Sequence, residues 1–257
     1  MENDFLNARK LEFTVPSGYK YVIREQNGAD DDILSNPVEA RTLRNISRFI
    51  AAIVVSTDYT QNGKLTVDDA HQLPVLDKYC IMFNSRMFSM GETVEFEHDW
   101  GDGGGAILYA QDLKEFLFNY GVPPTEEELL EKPLAIPYYP NGKKVKDIEF
   151  TTSYSNKFKF DVLTGEGESY IANLPDDKRT KNQELVARNL HLEVDGKWEK
   201  VTNFRMFSVK EMAEIRKEVY SCDPDFSGNT EVENPRTGEK GSVNLLAIKG
   251  FFYPGEM

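Results

Sequence analysis

The segment Asp58-Tyr59-Thr60-Gln61-Asn62-Gly63-Lys64-Leu65-Thr66-Val67-Asp68-Asp69 is where this sequence comes closest to metal chemistry. Asp58, Thr60, Asn62 and Asp69 fall at the first, third, fifth and twelfth places of a calcium loop, with Gly63 at the sixth, where such loops turn sharply. Hard oxygen donors at alternating places suit that ion. The fit is partial: an aspartate closes the loop where a bidentate glutamate is usual, and the preceding residues read as strand rather than helix. An Asn-Gly turn accounts for the same residues without an ion. The favoured reading therefore holds no metal and no cofactor, with calcium binding by residues 58–69 as the alternative.

Other chemistry-bearing residues have simpler explanations. Asp30, Asp31 and Asp32 could supply carboxylates to a hydrolase, yet acids in a first helical turn complement the helix dipole. The Gly-rich run at 99–105 is followed by no Lys-Ser/Thr and has acidic neighbours, unlike a phosphate loop. His71, His98 and His191 lack metal-ligand spacing, and no nucleophile elbow, Walker lysine or dinucleotide fingerprint occurs. No catalytic residue is nominated and no enzymatic activity is expected.

The elements that would position these residues occur in two similar series. Glu12-Phe13-Thr14 and Tyr19-Lys20-Tyr21 are answered by Glu149-Phe150-Thr151 and Phe158-Lys159-Phe160. Gly28 to Asn36 is answered at the same spacing by Gly165 to Asn173, and Asn62-Gly63 by Asp195-Gly196. Self-similarity in this order predicts a duplicated domain. Strands are expected at 12–15 and 19–25 around Pro16-Ser17-Gly18, then a helix over 38–55 or one passing into a strand near 52–55. A helix over 67–90 carries Leu73, Leu76, Tyr79, Cys80, Phe83, Met87 and Met90 on one face, with Lys78 and Arg86 on the other. A hairpin from Thr93 turns in the Gly-rich tip. In the second series, Ser208 and Glu211 form a capping box for a helix from Val209, ended by Asp223-Pro224, and a hairpin follows from Thr230.

The prolines and acids of residues 121–147, with a short helix at 125–131, read as a semi-rigid linker. The expected fold is α+β: a first repeat at 11–120, the linker at 121–147 and a second repeat at 148–257. Each repeat would hold an N-terminal β-hairpin, two helices and a C-terminal β-hairpin.

Composition narrows the function classes. At 257 residues, 40% hydrophobic and 28% charged, the chain suits folded domains. No apolar run reaches the roughly 20 residues of a membrane span, and the first residues, MENDFLNARK, hold no signal-like apolar core. Two cysteines, Cys80 and Cys222, in different helices make no disulfide framework and suggest a reducing compartment. A net charge of −13 opposes nucleic-acid binding, and the densest basic spot is Lys143, Lys144 and Lys146.

Taken together, the hairpin followed by NGADDDILSN, the later FDVLTGEGE, the helix ahead of Cys222-Asp223-Pro224 and the GFFYP at 250–254 resemble the baseplate-hub and tail-assembly proteins of large contractile-tailed (T-even-type) bacteriophages. Members often carry a zinc-binding Cys-Pro-x-Cys-Gly knuckle in the last hairpin. Here the matching segment is Asn234-Pro235-Arg236-Thr237-Gly238, with both cysteines replaced, so zinc is not expected. The resemblance implies a structural or assembly role with no turnover, in the host cytoplasm during phage assembly or within the virion tail. Its partners would be other tail or baseplate-hub proteins. Trp100, in the first Gly-rich tip, and the aromatics Phe251, Phe252 and Tyr253 are the candidate contact residues.

Overall fold

A computed structural model of the chain describes residues 9–252. Strands β1 (Lys10–Thr14) and β2 (Lys20–Arg24) form an antiparallel hairpin. Its turn closes with Val15 N–H donating to Tyr19 O, while Gly18 takes a φ of 85° that side chains resist. Alternation along β2 buries Tyr21 and Ile23. Helix α1 (Gly28–Leu34) starts from a capping box in which Asn27 and Asp30 satisfy each other's backbone N–H groups. The expected helix over 38–55 is broken into α2 (Pro37–Ala40) and α3 (Arg44–Ile53), with Leu43 left-handed at the join. The chain then enters β3 (Val54–Thr57), which pairs with β2. β-branched residues gather at that point, as a strand favours.

The expected helix over 67–90 is also two: α4 (Val67–His71) and α5 (Val75–Met90), separated at Pro74. Its far face is not solvated as its charges suggest. Lys78 is 2% exposed and bonded to Glu168 at 3.1 Å, and Arg86, 4% exposed, donates to the carbonyls of Gly91 and Thr93. Apolar periodicity located one buried face of α5; on the other, the later helix that carries Glu168 covers Lys78, and the chain leaving α5 covers Arg86. Strands β4 (Thr93–His98) and β5 (Ile107–Asp112) form the next hairpin, followed by a 3-10 turn at Leu113–Phe116 and the exposed helix α6 (Glu126–Glu131).

The second series begins with β6 (Ile148–Thr151) and β7 (Lys157–Phe160), then α7 (Gly165–Ala172) and α8 (Lys181–Ala187). Strands β8 (His191–Val194) and β9 (Lys197–Lys200) extend its sheet in the order β6-β7-β8-β9, all antiparallel. Helix α9 (Val209–Cys222) leads to the hairpin of β10 (Asn229–Glu233) and β11 (Lys240–Asn244), a 3-10 turn at Leu245–Ala247 and α10 (Lys249–Phe252). The fold is thus α+β, with several small sheets rather than one.

The two series share further details. Each first hairpin is clasped by a carboxylate of a later helix. Ser17 N–H and hydroxyl donate to Asp77 of α5, and Ser153 N–H and hydroxyl donate to Glu214 of α9. Each last hairpin ends in a side-chain-capped 3-10 turn: Asp112 accepts from Lys114 N–H, and Asn244 from Leu246 N–H. The buried Leu113 and Leu245 follow those caps. Asn62-Gly63 and Asp195-Gly196 diverge. The second joins β8 to β9, whereas the first closes a loop through Thr57 N–H to Gly63 O and leads to no return strand.

One core runs through both series. Phe83 of α5 lies 5.1 Å from Phe116 and 5.2 Å from Phe251, ring centre to ring centre. The connecting stretch is part of this core and not a free spacer, because Ile136, Tyr139 and Val145 are buried in it. Tyr139 N–H donates to Pro16 O, its hydroxyl accepts from Leu76 N–H, and Tyr120 hydroxyl donates to Ile136 O.

Candidate functional site

The β4–β5 and β10–β11 hairpins come from distant parts of the chain and meet along their lengths and at their tips. Near the base, Thr230 hydroxyl bonds the Gln111 side chain. Midway, Tyr109 hydroxyl donates to Glu233 O at 3.0 Å and accepts from Trp100 Nε1 at 2.9 Å. The indole of Trp100 lies over Gly241, where a Cβ would approach it to 3.0 Å, and meets the His98 ring edge-on at 4.7 Å. A glycine on β11 thus makes room for the large ring of the facing hairpin.

Arg236 locks the tips. Its Nη2 and Nε donate to the two carboxylate oxygens of Asp102 at 2.9 and 3.0 Å, a bidentate fork, while its remaining donors reach Gly104 O and Gly105 O. Asn234 Nδ2 adds a bond to Asp102 at 3.0 Å. The Asn234 amide, the Gly104 N–H and Arg236 together hold the Asp102 carboxyl below its usual range. Gly104 leaves the space that the guanidinium occupies: a Cβ there would overlap it and push the Arg236 side chain aside. The Gly-rich run at 99–105 therefore serves as a carbonyl-lined receptor for an arginine. Sequence reading located Arg236 within a turn but carried no signal that it would reach residues more than a hundred positions earlier.

The other candidate contact residues separate. Trp100 is half-buried in the hairpin pair. Phe251 is fully buried against Phe83, so it belongs to the core and offers no contact surface. Phe252 is half-buried beside Phe49, and Tyr253 lies outside the described residues.

The four calcium-loop candidates each hold a protein partner. Asp58 accepts from Lys20 N–H and pairs with Lys143, both at 2.6 Å. Thr60 hydroxyl donates to Lys64 O, Asn62 Oδ1 accepts from Lys64 N–H, and Asp69 closes the capping box of α4 with Thr66. The Thr66 hydroxyl and N–H hold the Asp69 carboxyl below its ordinary value. Among the described residues no group of three or more His, Cys, Asp or Glu side chains is arranged to hold a metal. Asp30 is buried in a bidentate pair with Arg24, at 2.7 and 2.8 Å, while Asp31 and Asp32 are exposed. The acidic trio therefore does not converge on a pocket.

Among the described residues no helix is long and apolar enough to cross a membrane. No protein-family model, curated protein or solved structure matches this chain.

Proposed function

We propose that this chain is a non-enzymatic structural or assembly protein of a contractile phage tail, acting in the baseplate hub through protein–protein contacts. One observation carries the reading. The hairpin pair consists of two two-stranded sheets, so among the described strands each β4, β5, β10 and β11 has a ladder edge that no strand of this chain fills. Unfilled edges on a rigid support are templates for strand addition by a partner. Leu108 of β5, 57% exposed, supplies an apolar anchor beside such an edge. The recurrence of hairpin, helices, clasp and capped turn supports internal duplication, which would present two related docking elements from one chain.

Mass spectrometry of purified particles of the source phage, with a pull-down from infected cells, tests the assignment. Presence in particles identifies a hub component; recovery only with tail proteins in lysate identifies an assembly factor. Association with no tail protein in either sample overturns the reading.

A further inference from the structure

The densest basic run of the chain, Lys143, Lys144 and Lys146, lines one wall of an open cleft of about 840 Å³. Facing it are the rings of Tyr19 and Tyr59, set edge to face with centres 5.1 Å apart. Asp69 supplies the single carboxylate among the described lining residues. With Asp58 paired to Lys143 just behind the lining, three cations stand against two acids, a local positive excess in a chain of net charge −13. A concave site of one sign concentrates ligands of the other.

The three lysines are not equivalent. Lys143 is committed to the wall itself: its ammonium pairs with Asp58 at 2.6 Å and lies 4.6 Å from the centre of the Tyr19 ring. That contact braces the 58–64 loop against the connecting stretch, helped by Asp58 on Lys20 N–H and by Tyr59 hydroxyl on Gln72 O at 3.3 Å. Lys144 and Lys146 are exposed, flanking the buried Val145 that anchors the run to the core. The cleft therefore has a braced frame and two solvated cations along its wall.

We propose that this cleft receives an acidic, extended peptide segment of a protein partner. Carboxylates of that segment pair with Lys144 and Lys146, and its aliphatic parts lie on the rings of Tyr19 and Tyr59. The ligand is a peptide rather than a polynucleotide. A long phosphate backbone would have to leave the cleft across a surface of predominantly negative charge, whereas a short acidic segment is confined to it. The inference deepens the assembly reading by naming the chemistry of one partner.

The test titrates a fluorescein-labelled peptide of alternating Glu and Ala into the full chain at low salt, followed by fluorescence anisotropy. Alternating Lys and Ala, and oligothymidylate, are run alongside. The acidic peptide should bind saturably, and the double variant Lys144→Glu/Lys146→Glu should weaken binding by about tenfold or more, as expected for reversal of two contacting charges. Lys210→Glu, on α9 and outside the cleft, should leave it unchanged. Both cleft lysines are solvated, so thermal melting of the double variant should match the parent. Absence of saturable binding, binding indifferent to the double variant, or tighter binding of oligothymidylate would each overturn the proposal. Peptide binding by a chain that never associates with tail proteins would remove the phage assignment and leave the cleft; the opposite pair of results would do the reverse.

Discussion

Ser17 presents both its backbone N–H and its hydroxyl to the carboxylate of Asp77, at 2.9 and 2.5 Å, joining the first hairpin turn to the start of α5. Asp77 is fully buried, and burial pushes its carboxyl up to about 7 even though both Ser17 bonds act in the opposite sense. Its neighbours Tyr21, Cys80 and Tyr139 are pushed upward by burial and stay neutral across the acid range. Since the folded value exceeds the unfolded one, near 3.8, the native state binds the extra proton between them. This group's contribution is then fully present below about pH 4 and declines as pH rises towards 7. Asp77→Asn keeps an acceptor for the N–H and a donor for the hydroxyl. Subtracting its urea-unfolding free energy from that of the parent between pH 4 and 7.5 should reveal a parent slope more negative by up to ~1.4 kcal/mol per pH unit. Parallel pH curves would contradict the assignment.

The hairpin junction makes a second prediction. Arg236→Lys retains the charge but loses the planar fork that grips Asp102 and the two glycine carbonyls. Because Arg236 is partly exposed, the expected loss of stability is modest, on the order of 1 kcal/mol. The sharper readout is local: amide hydrogen exchange should rise across 99–105 and 234–238 and stay unchanged in α5. Gly104→Ala should reproduce that pattern by steric means. Equal protection of both tips in the variants would show that Arg236 does not hold them.

Lys78 and Glu168 pair α5 with α7, and Gly165 leaves the space that Lys78 occupies: a Cβ there would stand 2.5 Å from its ammonium and 2.9 Å from His71 O. Lys78→Ala should cost on the order of 3 kcal/mol, because it removes one partner of a buried pair. The double variant Lys78→Met/Glu168→Gln should recover most of that loss, since an apolar side chain of similar length then faces a neutral one. Urea melts of the three proteins decide the matter; a double variant no better than Lys78→Ala would refute it.

Calcium provides a fourth check. With Asp58 on Lys143 and Asp69 on Thr66, an ion would first have to displace existing bonds. Calcium at millimolar concentration should shift the melting temperature by less than about 1 °C, since a ligand stabilises only in proportion to its binding to the native state. A shift of several degrees, abolished by Asp58→Asn, would establish the loop as a calcium site.

Local chemistry made much of this fold readable. The hairpin around Pro16-Ser17-Gly18, the helix ended at Asp223 and the strand emerging near Val54 all follow from turn residues, caps and β-branching. Glu211 shows where that logic stops. Its N–H bonds Ser208 as a capping box requires, but its carboxylate turns away to Thr152 and Asn156. The same limit hid the burial of Lys78 and the reach of Arg236, which depend on partners about a hundred positions away. Phe251 had no local signal separating a core ring from a surface one. The lysine run was visible as composition, while the tyrosines opposite it were not, because only folding brings residues 19, 59 and 143 together.

The connecting stretch has a bearing on how such a chain could evolve. Tyr139 is bonded to the turn of the first hairpin and to the start of α5, and its ring is buried in the shared interior. Two units joined by a loose tether could be exchanged or lost one at a time. Here removal of the part before or after this stretch would leave the shared core open. Unfolding should likewise proceed in a single step, with no half-folded species left for a protease to trim.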